Sequence, residues 1–131
     1  MITSKQITAT SVTVPERVFT ATQDGSSNPN ASTNPGQTSA ITTMVLCNSG
    51  AVDIADESVN TVNVNVYLVK NGNTADASNI IVSNLTVPAG ETVFFSDEKI
   101  ILDGDGNDAD EIWIGTSATS LITATISSLP V

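Results

Sequence analysis

Apolar and polar residues alternate with a period of two wherever the chain carries a pattern at all. Val62, Val64, Val66 and Leu68 fall on one face of an extended segment, and Asn63, Asn65 and Tyr67 fall on the other. That is the signature of a half-buried β-strand. The same alternation, less strictly kept, predicts strands over 6–14, 18–22, 40–48, 79–87, 92–102, 111–115 and 121–127. With 62–69 this makes about eight strands, and no segment shows the period of an amphipathic helix longer than two turns.

Turn chemistry sits between these segments. Pro15 and the run Val87, Pro88, Ala89, Gly90, Glu91 read as tight corners, while Asn48, Ser49, Gly50 and Asn71, Gly72, Asn73 read as turns after strands. Short strands with frequent turns predict a single antiparallel β-sandwich or jelly-roll-like domain spanning 1–131. The stretch 23–39 is different, being almost wholly Gly, Ser, Asn, Pro and Thr. It cannot bury a face, so it reads as a long polar arm or loop, either without structure or ordered against a neighbour, with Asn28, Pro29, Asn34 and Pro35 as candidate contact residues. A partial echo links 12–19 to 85–94, each reading as a strand, a Pro corner and a second strand; it fits either an internal repeat or a corner used twice.

Composition narrows the function. Four basic residues against fourteen acidic ones give a formal net charge of −10, a surface that repels nucleic-acid phosphates and anionic membranes alike. Cys47 is the single cysteine, so no intramolecular disulfide can form, and its neighbours Val45 and Leu46 predict a small buried apolar residue. The start of the chain lacks the basic, then apolar, character of a secretory signal, so synthesis in a cytoplasm as a soluble protein is expected. The glycosylation-like patterns at Asn30 and Asn84 then read as accidental.

Histidine is absent, which removes the commonest general base and the commonest transition-metal ligand together. No Gly-rich phosphate loop opens a helix, and Cys47 has no second cysteine with which to hold zinc. No enzyme is expected. The one candidate for chemistry is an acidic loop at 103–111. Asp103, Asp105 and Asn107 have the spacing that opens an EF-hand calcium loop, but Asp108 stands where that loop needs Gly and Ile114 where it needs a bidentate Glu. Asp103, Asp105, Asn107, Asp108 and Asp110 could hold calcium more loosely. Equally, they could form a solvated hairpin loop between two strands. Trp113, between Ile112 and Ile114, reads as a core residue or as an interface anchor.

The corner Val87, Pro88, Ala89, Gly90 leading into a strand, the turn at Gly104 and Asp105, the strand ending Gly115, Thr116, Ser117, Ala118, and the alternating last strand 121–127 resemble a small β-sandwich family of tailed-bacteriophage virion proteins. The match covers roughly the last third of the chain well, and the turn at Asn48 followed by the strand 62–70 fits the family's middle. The acidic insertion at 105–110 and the arm at 23–39 depart from it. The resemblance implies a virion location and a structural role without a cofactor: decoration or cementing of the capsid, with other virion proteins (the major capsid protein or neck and tail proteins) as partners and a homo-oligomer of this chain in the particle. A neck or tail connector, or fibre-attachment piece, is the alternative on the same fold. A calcium-dependent host-surface adhesion module is a further one.

Overall fold

In the computed structural model, described over residues 2–21, 38–70, 73–96, 99–104 and 109–131, most of the alternating segments become extended chain. The strands are β1 (Ile2–Gln6), β2 (Glu16–Thr20), β3 (Ser39–Asn48), β4 (Val62–Val69), β5 (Ile80–Val87), β6 (Thr92–Phe95), β7 (Ile100–Leu102), β8 (Glu111–Thr116) and β9 (Ile122–Pro130), with one 3-10 turn at Ala77–Asn79. They form two antiparallel sheets, one ordered β1-β9-β3-β6 with β7 also paired to β3, the other ordered β2-β8-β4-β5. The fold is an all-β sandwich.

The core lies where the inward faces meet. Val62, Val64 and Val66 of β4 and Ile112 and Ile114 of β8 face Ile41, Met44 and Leu46 of β3 and Ile122, Ala124 and Ile126 of β9, and none of these is more than 2% exposed. Burying one large branched side chain this fully is worth about 1.5–3 kcal/mol, so this interdigitation supplies most of the drive for the sheets to close.

Among the described residues one predicted strand is displaced, and another splits in two, which makes nine strands of about eight. The segment read as a strand over 6–14 is instead the end of β1 and a crossover. Ile7 still belongs to the ladder, donating to Ile122 O at 2.8 Å and accepting from Ser120 N at 2.8 Å, after which residues 8–15 leave for the other sheet. The segment read as a strand over 92–102 breaks into β6 and β7, which pair with 44–47 and 39–41 of β3; β3 bulges between Ile41 and Thr43, opposite the break. The echo between 12–19 and 85–94 is not a repeat of strand, corner and strand, because a turn rather than a strand precedes Pro15. What the two segments share is a proline at a crossing from one sheet to the other. Cys47 is half-buried on the outward face of β3, not in the core.

The two outward faces are treated differently. Over the β2-β8-β4-β5 sheet lies the crossover 8–15. Its Val12 carbonyl accepts from Tyr67 Oη at 2.8 Å and from Asn65 Nδ2 at 3.3 Å, and Asn65 Oδ1 accepts from Asn84 N at 2.6 Å on β5. Asn65 and Tyr67, the polar face of the clearest strand, are thereby buried and hydrogen-bonded. Gly115 makes room for this, since a Cβ there would stand 2.4 Å from Val12 O. Gly115→Ala should therefore force the crossover off its sheet and lower the unfolding free energy by about 1–3 kcal/mol, an overpacking cost. Thr123→Ala, on the uncovered sheet, should stay within about 0.5 kcal/mol. Urea unfolding followed by the fluorescence of Trp113 reads both.

Candidate functional site

The acidic loop is closed at its base by its own two ends. Asp110 N donates to Asp103 O at 2.8 Å, Asp103 N donates to the Asp110 carboxylate at 3.0 Å, and Asp110 O accepts from Ala21 N at 3.0 Å. Asp110 is 1% exposed, so its carboxylate is part of the fold's backbone satisfaction. Asp103 is exposed, with Thr38 Oγ1 3.4 Å from its Oδ1. Asp105, Asn107 and Asp108 lie outside the described residues, as do Asn28, Pro29, Asn34 and Pro35 of the polar stretch. Among the described residues no group of three or more acidic or sulfur ligands converges.

Trp113 is not a core residue. The inward positions of β8 belong to Ile112 and Ile114, which puts Trp113 half-buried on the outward face, at the register of Arg17 on β2 and Tyr67 on β4. Its Nε1 donates to Glu111 Oε2 at 2.5 Å, and Glu111 Oε1 accepts from Arg17 at 3.2 Å. The indole is held by an ion pair that spans two strands.

The most heavily organised region lies at one end of the sandwich, around Asn48. Fully buried at the end of β3, its backbone N donates to Glu91 O at 2.9 Å and its O accepts from Gly90 N at 3.0 Å. Its side-chain Nδ2 donates to Val87 O at 2.9 Å and Asn60 O at 2.8 Å, and its Oδ1 accepts from Gly50 N at 2.9 Å. One residue thus ties β3 to the corner after β5 and to both ends of the loop 49–61. Inside that loop Asn60 Nδ2 donates to Ala51 O at 3.0 Å, Thr61 Oγ1 to Glu57 O at 2.9 Å, and the Asp53 and Asp56 carboxylates accept from Ala55 N and Ser58 N at 2.9 and 3.0 Å. Gly90 turns the corner with φ of 77°, and a Cβ on it would meet Val52 Cγ2 at 2.9 Å.

Loop and corner together enclose an open cleft of about 560 Å³ whose lining includes Val52, Val59, Pro88 and Ala89 as well as Asp53, Glu57 and Glu91. Of that lining Val52 is 64% exposed, and Ile54 in the same loop is 98% exposed. Sequence reading missed this place. Its apolar residues follow no period, and the turn residues Asn48, Ser49 and Gly50 signal a change of direction without revealing that the Asn48 side chain organises everything around it. A second, more apolar cleft of about 400 Å³ opens between the sheets at Ile41, Met44, Leu68, Ile81, Val82, Phe95 and Ile100.

Neither protein-family models, curated proteins nor solved structures give a match to this chain.

Asn48→Ala should lower the unfolding free energy by about 2–4 kcal/mol, because Val87 O, Asn60 O and Gly50 N lose their partner together; equilibrium urea unfolding measures it. A second expectation concerns acid. Ser58 donates to the Asp56 carboxylate from its hydroxyl and its backbone N–H, and both bonds hold the Asp56 pKa below its ordinary 3.8. A carboxyl depressed in the folded state adds stability above its unfolded value and loses it as the pH falls through the folded one. Side-chain carboxyl NMR should find Asp56 titrating below the ordinary aspartate range, and Ser58→Ala should move the midpoint back up.

Proposed function

We propose that this chain is a structural protein of a tailed-bacteriophage virion, a decoration or cement protein that acts through contacts and carries out no catalysis. The observation that carries the reading is the outward face of the β1-β9-β3-β6 sheet. Phe94 is 67% exposed, Leu129 57%, Ile101 55% and Ile2 73%, set among Ser4, Thr43, Thr123, Thr125 and Ser127. A sheet face built this way is stable in water but gains from being covered, at about 25 cal/mol for each Å² of apolar area removed from solvent.

The sequence supports the same reading through its virion-family resemblance and through its lack of histidine. Strand edges add to it: β1 on one side and β6 with β7 on the other bound one sheet, and β2 and β5 bound the other, each with backbone groups that a neighbour's strand could pair. A protein that binds only the assembled particle stabilises that particle by mass action, and needs nothing beyond such surfaces to do so.

A side-chain-resolution reconstruction of the purified phage particle tests the proposal. The expected result is sandwich density repeated over the shell, with Phe94, Ile101 and Leu129 against a capsid subunit. A single ring of copies at the neck or tail would replace decoration with the connector role. Absence from the particle would overturn the virion reading.

A further inference from the structure

The cleft between loop 49–61 and the corner 87–91 combines three properties that fold stability does not require together. Its apolar lining is presented outward: Val52 is 64% exposed and Val59 38%. Its framework is fixed before any partner arrives, through the five hydrogen bonds of Asn48 and the internal bonds of Asn60, Thr61 and Asp53. And its carboxylates Asp53, Glu57 and Glu91 meet no basic residue, since the ion pairs among the described residues are Lys5 with Glu16 and Arg17 with Glu111, both elsewhere.

From these we infer that the cleft is a docking groove for a segment of another protein in which a Lys or Arg stands beside an apolar residue. The apolar residue covers Val52, Val59, Pro88 and Ala89, and the cation meets Glu57, Glu91 and Asp53. Charge selects this occupant over a second copy of the chain. Each copy carries a formal net charge of −10, so two of them repel, and a surface that adds three carboxylates to the contact worsens the repulsion. A rigid groove also keeps the ordering cost of binding low, because the loop is not rearranged.

The inference shares with the proposed function only the premise that the chain works by contact, so the two fail separately. The probe is a short synthetic peptide of alternating Lys and Val, compared with an alternating Glu and Val peptide and with oligolysine, each titrated into the isotopically labelled full chain and followed by amide NMR shifts. The Lys-Val peptide should shift residues 51–61 and 86–91, and raising the salt from about 50 mM to about 500 mM should weaken it at least about fivefold. The Glu-Val peptide should not bind. Oligolysine should bind at least about fivefold more weakly, for want of apolar contact.

Glu57→Gln with Glu91→Gln should weaken the Lys-Val peptide about fivefold or more, and Val52→Ser should weaken it too. Both variants alter exposed side chains and should keep the wild-type urea midpoint, which separates lost binding from lost folding. Shifts centred outside the groove, oligolysine binding equal to Lys-Val, or a double variant that binds as the wild type would each overturn the groove. A particle reconstruction bears on the other reading alone: absence from the virion beside a groove that binds would remove the virion role and leave this one.

Discussion

Much of this sandwich is arranged around one buried amide. With aromatics making up 4% of the chain, the core is mainly Val, Ile, Leu and Ala, whose packing favours closure but does little to fix where one sheet's ends lie against the other's. Asn48 supplies that fixing. It belongs to β3 in one sheet and bonds Val87 at the end of β5 and Asn60 just before β4 in the other, so a register error in either sheet would strand its donors in the core. The side chain suits the task because it carries two donors and an acceptor without charge, and each is used. Asp would bring a charge and no donor to the same place.

At the opposite end the connection is made by a carboxylate, whereas the chain crossing begins at the Asn48 end, where Ile7 bonds Ile122, the register partner of Asn48. Residues 8–15 carry the chain between sheets over Gly115, while the buried Asp110 closes the acidic loop, which joins β7 of one sheet to β8 of the other and is no hairpin, onto Asp103 and receives Ala21 on its carbonyl. The consequence is asymmetric. One outward face is covered by the protein's own crossover, with Asn65 and Tyr67 satisfied beneath it, and the other carries Phe94, Ile101 and Leu129 into solvent.

How much of this the sequence made legible depends on the kind of signal. Valines at every second position from Val62 leave one geometric option, and β4 forms where the alternation places it, with Val62, Val64 and Val66 in the core. The edge strand β1 was harder to place, because Thr3 and Lys5 rather than apolar residues hold its inward positions; Lys5 instead reaches across to Arg17 O at 2.7 Å and to Glu16. The break between β6 and β7 answers a bulge in another strand, which no local pattern encodes. Trp113 was readable only as core or anchor, since flanking isoleucines do not tell which of three consecutive residues points inward. The groove was illegible for a different reason: Val52 and Val59 lie in a loop, where only tertiary hydrogen bonds decide that they face outward.

The charge and the exposed apolar groups make most sense together. Apolar patches on a small protein ordinarily invite self-association, and an uncovered sheet face with free edges makes the danger larger. A net charge of −10 on 131 residues opposes that encounter between copies at every orientation, and it does so most strongly in dilute salt. The same charge favours approach to a basic surface, where apolar contact can then form. On the proposed contact role, acidity of this kind would be more than a solubility device, letting sticky surfaces stay unpaired among identical copies and favouring a partner of opposite charge. A contact protein needed in many copies, free until its scaffold is built, is well served by that division between long-range repulsion and short-range apolar fit.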